Sequence, residues 1–339
     1  MPVNVVTYGD ISPRTAGFVS KRMLERGQYD YVIGRYGQAQ VIPKKNTKTI
    51  KFRRYESLPR ATAPLAEAVP PAAGKLTYTD VQATLEQYGY YVPLSDVVLD
   101  THEDPVLQET SDLCGEQISE TTEVITISVL KGGTTVYYAN NAGSRANVNS
   151  PLLRSDLRRI YRYLKKYKGR PISKIIAASV KISTDPVAPA YFVFGHTDLD
   201  SDIRAIEGFI PVENYSDSTK AVPGEIGKVD QFRFILTPLF EAWEAAGASG
   251  TTYLSGGVKV SVAAAADVYP LLILAENAFG TVRLQGPNTV TPAVVNPKPM
   301  VGDELAQRGF VSWKMYFTSI ILNQNWLCRL ECAATAIPT

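Results

Sequence analysis

Apolar residues recur at steps of seven and four along one stretch of the chain, at Leu107, Cys114, Ile118, Ile125 and Val129. That spacing places them on one face of an α-helix. Asp104-Pro105 supplies a start: an N-cap acceptor, then a ring that pre-sets φ and has no N–H to donate. Lys131-Gly132-Gly133 supplies the stop, a cation at the negative end of the helix dipole and glycines able to turn left-handed. The predicted rod of about 27 residues would be ~40 Å long at ~1.5 Å per residue. Within it Thr121, Thr122, Val124, Ile125, Thr126, Ile127 and Val129 are β-branched and weaken helix propensity. A break to strand near Thr121 therefore competes with a helix running to Lys131.

Upstream, residues 38–94 predict a long two-stranded arm. One strand runs over about 39–56 and the other over about 75–91, both rich in Thr, Tyr, Val, Ile and Phe. Pro59, Pro64, Pro70 and Pro71 lie between them, where neither helix nor sheet can continue. Residues 1–37 lack sustained periodicity beyond a short helix at about 18–26 stopped by Gly27, and read as an arm ordered by something outside itself.

Downstream, 136–149 reads as a loop or domain crossing. Ser150-Pro151 then opens an amphipathic helix with Leu153, Leu157, Ile160, Tyr161 and Leu164 on one face and Arg154, Arg158, Arg162 and Lys165 on another. Strands are predicted at 175–182 and 190–195, followed by a polar turn at 196–202 entering a short helix, capped by Ser201 or Asp202. Frequent Gly and Pro over 208–257 suggest loops and short strands on a mixed sheet, and 269–275 suggests a buried strand. Pro287, Pro292, Pro297 and Pro299 make 285–302 an extended linker. The end of the chain alternates with period two: Trp326, Cys328, Leu330 and Cys332 on one face, Leu327, Arg329 and Glu331 on the other.

Composition sharpens this picture in three ways. With 339 residues, 45% hydrophobic and 20% charged, the chain has room for a sizeable core and about two domains, which excludes wholesale disorder. No uncharged apolar run approaches the ~18 residues of a membrane span, and the first residues lack a signal-peptide pattern, so a soluble intracellular product without a membrane partner is expected. Three cysteines, Cys114, Cys328 and Cys332, lack metal-ligand spacing and imply neither a disulfide framework nor a zinc site.

Charge is segregated although the net charge is only +2. Asp96, Asp100, Glu103, Asp104, Glu109, Asp112, Glu116, Glu120 and Glu123 follow one another with no Lys or Arg between them. The first strand of the arm carries Lys44, Lys45, Lys48, Lys51, Arg53 and Arg54, with Arg60 beyond, against Glu56 alone. Arm and rod are charge complements. An arm of one copy lying across the rod of the next would satisfy both, a heterologous contact that builds rings or shells. Lys44, Lys45, Lys48, Lys51, Arg53 and Arg54, facing Glu109, Asp112, Glu116 and Glu120, are the expected inter-subunit contacts.

Candidate chemistry is thin. Asp198, Asp200 and Asp202 alternate and could converge on a hard cation, which makes a metal-dependent enzyme one rival reading. As a calcium loop the stretch fails, because Ile203 stands where glycine is needed and Phe209 where a bidentate Glu is needed. Gly224-Glu-Ile-Gly227-Lys228 has the wrong glycine spacing for a phosphate loop, and Val229 replaces the metal-binding hydroxyl. His102 sits among acids, and Cys114 falls on the apolar stripe. No catalytic residue, cofactor or metal is expected. The second rival is a DNA-binding protein using the basic helix over 154–170 through phosphate contacts; a solvated face is the simpler account.

Three stretches carry a family resemblance: Thr84-Leu-Glu-Gln-Tyr-Gly-Tyr-Tyr-Val92, Gly227-Lys-Val-Asp-Gln-Phe-Arg-Phe234 and Gln307-Arg-Gly-Phe-Val-Ser-Trp313-Lys-Met. With the order of parts, they make the chain resemble the major capsid proteins of tailed bacteriophages, and more narrowly the coliphage N-four-like branch. Ser312 departs from the glycine expected before the tryptophan. The resemblance implies an α+β, Hong Kong 97-type fold: an N-terminal arm (1–37), an extended two-stranded loop (38–94), the spine helix of a peripheral domain (95–133), a mixed α/β axial domain (134–285), and a linker with return strands to the peripheral domain (286–339). It also implies hexamers and pentamers of this chain in an icosahedral virion capsid, assembled in the host cytoplasm around double-stranded DNA, with non-specific DNA contact. Portal, scaffold and decoration proteins would be further partners. The prototype of that fold joins its subunits through Lys–Asn bonds; no pattern here implies them, and non-covalent assembly is expected.

Overall fold

The computed structural model describes residues 32–336, apart from 46, 63, 65–72, 98–105, 178–182, 216–221, 223, 250–253, 256–257, 260–264, 285–289, 296, 298 and 300–304. The expected helix at 18–26, the helix start at Asp104-Pro105 and His102 lie outside the described residues.

In chain order the first strands are β1 (Gln38–Ile42), β2 (Thr49–Tyr55), β3 (Tyr78–Thr84) and β4 (Glu86–Ser95). Helix α1 (Val106–Lys131) follows, then β5 (Val136–Tyr138) and helix α2 (Arg154–Lys166). Next come β6 (Ile172–Ala177), β7 (Ser183–Gly195), the short helix α3 (Asp200–Arg204), β8 (Phe209–Pro211), β9 (Glu225–Val229) and β10 (Phe232–Leu236). The remaining strands are β11 (Leu254–Ser255), β12 (Val258–Lys259), β13 (Val268–Leu274), β14 (Phe279–Leu284), β15 (Val290–Val295), β16 (Arg308–Ile321) and β17 (Leu327–Ala333).

The larger sheet runs β5-β17-β13-β7-β10-β9-β8, with β6 also paired to β7. It is mixed: β5 with β17 and β7 with β10 are parallel, the other pairs antiparallel. Its central strands read as continuous apolar runs because both faces are covered. Tyr191 and Val193 share one core with Leu157, Ile160 and Leu164 of α2. Their neighbours Phe192 and Phe194 point the other way, into a second core with Ile33, Tyr36, Ile127 and Leu130. All seven residues of β13 are buried.

The smaller sheet is built on β16. Phe317 pairs with both Glu86 and Arg283, and Val311 with both Val92 and Val294, so β4 lies along one edge while β14 and β15 follow one another along the other. β1 pairs parallel with β14. Every second residue of β16, Val311, Trp313, Met315 and Phe317, packs against Cys114 and Ile118 of α1, with Leu107 and Ile125 at the margin. The Trp313 indole N–H donates to Gln117 Oε1 at 2.9 Å, which fixes the helix along the sheet. α1 thus spans two cores: its body lies on the smaller sheet and its last turns, through Ile127 and Leu130, on the larger.

The helix holds through its β-branched run, and the break near Thr121 does not occur. Thr121, Thr122 and Thr126 return their hydroxyls to the carbonyls of Gln117, Ile118 and Thr122 at 2.7–2.9 Å, and Thr122 and Thr126 are buried. Packing and internal hydrogen bonds outweigh the propensity loss. The stop also differs from expectation. Gly132 and Gly133 donate to Val129 O and Leu130 O in tight final turns, and neither adopts positive φ. Gly133 is favoured by proximity instead: a Cβ there would lie 2.8 Å from Leu327 Cδ2 and force that side chain to shift.

The two-stranded reading of 38–94 needs two corrections. Pro43 and Lys45, the latter at φ 61°, break the first strand, so β1 joins β14 and only β2 pairs with β3. The second strand divides at buried Leu85, and β4 turns away to β16. Elsewhere, α2 begins at Arg154, because Ser150 O is engaged by the Ala333 N–H. Its expected apolar residue Leu153 is exposed. The turn before α3 is capped by His196, whose Nδ1 accepts from the Asp198 N–H at 3.1 Å, and not by Ser201 or Asp202. The Pro-rich stretch contains β15, where Pro292 is tolerated on an edge strand. β17 lies in the larger sheet between β5 and β13, so its polar face is covered too.

Candidate assembly interface

The arm projects from the smaller sheet. At its base Ile50 and Phe52 of β2 pack with Ala83, Leu85, Ile42 and Val282. Beyond them the described residues 53–62 and 73–78 are exposed. Tyr55, Leu58, Leu76 and Tyr78 leave large apolar side chains in solvent there, 55–62% exposed. Among the described residues these side chains find no core.

Of the arm's cations, Lys44 and Lys45 sit in the exposed turn after β1, and Lys48, Lys51 and Arg54 are exposed on or beside β2. Arg53 is different. It donates to both Asp80 oxygens at 2.8 Å across the hairpin and stacks over Tyr78 at 4.3 Å. That guanidinium beside Asp80 holds the carboxyl below the usual carboxylate range. Arg53 is therefore a brace of the hairpin. None of the arm's cations pairs with α1 within the subunit, among the described residues.

The rod's acids divide by helical phase. Glu109 and Glu120 are exposed and Glu116 half-buried. Asp112 and Glu123, eleven residues and about three turns apart, face inward at 1% exposure each. Asp112 thus cannot meet a neighbour's side chain as expected. Glu123, the last acid of the run that has no Lys or Arg in it, instead receives the main-chain N–H groups of Val32, Ile33 and Gly34 at 2.8, 3.1 and 3.3 Å. Burial pushes its pKa up to about 7, with those donors and Arg35 pulling the other way. The signal was present in the sequence: Glu123 stands four residues before Ile127 and seven before Leu130.

Two further buried charge groups escaped the sequence reading. Glu331 is bound by Arg145 at 2.7 and 2.9 Å, with Arg329 Nε 2.9 Å away, and Arg145 lies 3.6 Å over the Trp243 ring. Arg233 pairs with Glu225 at 2.9 Å, both nearly inaccessible. Period-two alternation could not reveal them, since a strand covered on both faces has no solvent side.

The residues of the rival readings do not assemble. Asp198 accepts from the Tyr269 hydroxyl at 2.7 Å, Asp200 pairs with Arg204 at 2.9 Å, and Asp202 accepts from the Thr335 N–H at 2.8 Å. Each carboxylate has its own partner, and no group of three potential ligands occurs among the described residues. Gly227 lies inside β9, where a Cβ would meet the Phe209 ring at 2.4 Å, so the phosphate-loop likeness reflects strand packing. Burial raises Cys114 and pushes Cys328 up to about 12, consistent with inert core thiols. Among the described residues no helix is long and apolar enough to cross a membrane.

Residues 78–328 match the family described as phage capsid protein. The chain belongs to that family. The major capsid protein of Pseudomonas phage KPP21 is 24% identical over 277 residues, covering 75% of this chain and 68% of that protein. Among solved structures, the capsid of Ralstonia phage GP4 superposes with a TM-score of 0.65 at 9% identity, over 90% of this chain and 88% of that one. The head of Helicobacter pylori bacteriophage KHP40 gives 0.60 at 11% identity, over 89% and 88%. This capsid protein accordingly has the Hong Kong 97-type α+β fold. It is a major capsid protein, a structural subunit that forms oligomeric shells and is part of the virion.

Proposed function

We propose that this capsid protein builds hexamers and pentamers of an icosahedral shell around double-stranded DNA, assembling without covalent crosslinks in the host cytoplasm. The observation that carries this reading is the projecting hairpin β2–β3. It exposes apolar and basic side chains beyond its own core, and Lys48, Lys51 and Arg54 make no ion pair with an acid of their own subunit among the described residues. An adjacent copy's α1, with Glu109 and Glu120 exposed and Glu116 half-buried beside them, offers the complementary surface. Such a contact is heterologous and propagates into a closed shell.

In this reading residues 1–37 are the N-terminal arm, the β2–β3 hairpin within 38–94 is the extended loop, rooted by β1 and β4 in the peripheral sheet, and 95–133 carry the spine helix of the peripheral domain. Residues 134–278 together with β17 form the axial domain, while β14 and, from 286–339, β15 and β16 lie in the peripheral sheet. The protein acts by assembly and carries no catalytic role. Portal, scaffold and decoration proteins are its further partners, and the three stretches at 84–92, 227–234 and 307–315 support a place in the coliphage N-four-like branch. Negative-stain microscopy of the expressed protein tests the proposal: closed particles of uniform size are expected. Soluble monomers under all conditions would overturn it. Boiled, reduced particles should migrate as monomer on a denaturing gel, and a ladder would contradict non-covalent assembly.

A further inference from the structure

Helix α2 turns one face to the core and another whose cations find few acids among the described residues. Leu157, Ile160 and Leu164 are fully buried, whereas Arg158, Arg162, Lys165, Lys166, Lys168 and Arg170 are exposed. Acids accompany only the start of the helix. Asp230 lies 2.7 Å from Arg154 and 3.8 Å from Arg158, and Glu207 lies 3.8 Å from Arg154. Arg159 turns inward to Asp156 and the Tyr138 carbonyl, both at 2.9 Å. Beyond Arg159, Arg162, Lys165, Lys166, Lys168 and Arg170 make no ion pair among the described residues. Aromatic rings lie near two of them: Lys165 is 5.4 Å from the Tyr161 ring and 5.9 Å from that of Tyr191, whose hydroxyl it also meets, and Lys166 is over Tyr167 at 5.7 Å; none of these rings cancels the charge.

The helix dipole explains only part of this. Cations in the last turn suit its negative end, and Lys165 and Lys166 stand there. Arg162 lies upstream, and Lys168 and Arg170 lie past the helix. Cations this close together repel one another, a cost that a negatively charged partner removes.

Two kinds of partner carry that charge, an acidic protein face and a phosphate backbone. Protein interfaces are depleted in charged residues at their centre and built around apolar anchors. This face is the reverse, since its exposed side chains are nearly all cations, with Tyr167 as its exposed ring. Duplex DNA presents about one negative charge per 1.7 Å of axis, and the eight-residue step from Arg158 to Lys166 spans ~12 Å, enough to meet several phosphates. No Asn or Gln stands within 154–170 to pair with adenine edges.

We propose that the exposed face of α2, centred on Arg162, Lys165, Lys166 and Lys168, is a sequence-independent contact for the phosphate backbone of double-helical DNA. That this DNA is the enclosed genome rests on the shell reading above. The test compares the unassembled full-length chain with the variant Arg162→Gln, Lys165→Gln, Lys166→Gln, Lys168→Gln. Binding to random-sequence duplexes of about 30 base pairs is followed by fluorescence anisotropy across a salt series. The wild type is expected to bind with log affinity falling linearly against log salt. The variant's slope should be shallower by about 0.9 for each phosphate that it no longer neutralises, with at least roughly tenfold weaker binding to every duplex sequence. Its particles should still form, and Arg204→Gln, which removes a cation already paired with Asp200, should leave the slope unchanged. An unchanged slope in the fourfold variant would overturn the proposal. So would loss of particles in that variant alone, which would mark the face as a contact between copies. Absence of particles from the wild type would instead sink the shell reading, while the salt slopes still judged α2.

Discussion

The Glu123 carboxylate, from the middle of α1, accepts the main-chain N–H of Ile33 at 3.1 Å across ninety residues of sequence. Its other oxygen takes the N–H groups of Val32 and Gly34. Three orphan donors at the entry to the turn Ile33–Tyr36 are thereby satisfied by one buried side chain, which fastens the start of the described chain to the rod.

This clamp should make stability fall as pH rises. In the folded chain burial lifts the Glu123 pKa from its ordinary 4.5 to about 7, so the folded state keeps a proton that the unfolded state releases. The contribution is full below pH 4.5, declines through the interval, and is lost above about 7, by at most about 3 kcal/mol. Urea midpoints of the unassembled subunit from pH 5 to 8 should show the decline, and Glu123→Gln, which stays neutral, should flatten it. A wild type that gains stability over that range, with the gain abolished in Glu123→Gln, would mean the three donors outweigh burial.

Glu331 is the counterpart on β17. Fully buried and held by Arg145 beside Arg329, it compensates two cations in the floor of the larger sheet. Removing one partner of a buried charge group costs more than the group contributes, because the remainder is left uncompensated. Glu331→Leu should destabilise by about 3 kcal/mol or more. Arg145→Met, which leaves Arg329 beside the carboxylate and removes a side chain that is one-third exposed, should cost less. Thermal unfolding of the two variants gives the order directly.

How far these features could be read beforehand depends on whether local pattern or tertiary contact decides them. The rod was legible because Cys114 and Ile118 repeat at helical spacing, and β13 because 269–275 is apolar throughout. The division of 75–91 at Leu85 was not, since β3 and β4 share one composition and differ only in the strand each pairs with, β2 or β16. The acids of the rod looked equivalent as a charge run; phase separates exposed Glu120 from buried Glu123, and only the chain returning at Ile33 explains the latter. Arg53 likewise looked like its neighbours until Asp80 stood opposite it.

Gly133 offers a test of close approach between α1 and β17. A glycine-to-alanine change at a compatible site usually stabilises by ~0.4–1 kcal/mol through the unfolded chain. At Gly133 the new methyl would meet Leu327 at 2.8 Å in a fully buried setting, and the overpacking should reverse the sign to a loss of about 1–3 kcal/mol. Gly143, with nothing within 4 Å of its would-be Cβ, is the matched control and should be neutral or slightly stabilised. Equal melting temperatures for Gly133→Ala and Gly143→Ala would show that the helix end yields without cost.

The arm and rod give the last prediction, in a form the structure has narrowed. Arg53 is committed to Asp80 and Asp112 is buried, so neither belongs in a test of contact between copies. Lys48, Lys51 and Arg54 remain on the arm, and Glu109, Glu116 and Glu120 on the rod. Each single exposed pair is weak, but the contact is repeated by every subunit of a shell, so reversing three charges at once turns a recurring attraction into a recurring repulsion. Lys48→Glu, Lys51→Glu, Arg54→Glu should leave circular dichroism and melting unchanged while raising the concentration needed for particle formation at least roughly tenfold. Adding Glu109→Lys, Glu116→Lys, Glu120→Lys should recover part of that loss, and each triple variant alone should assemble poorly at low salt. If the reversed arm forms particles at the wild-type concentration, the apolar tip at Tyr55, Leu58, Leu76 and Tyr78 holds the neighbour without help from charge, and the rod's acids serve only to keep its outer face in water.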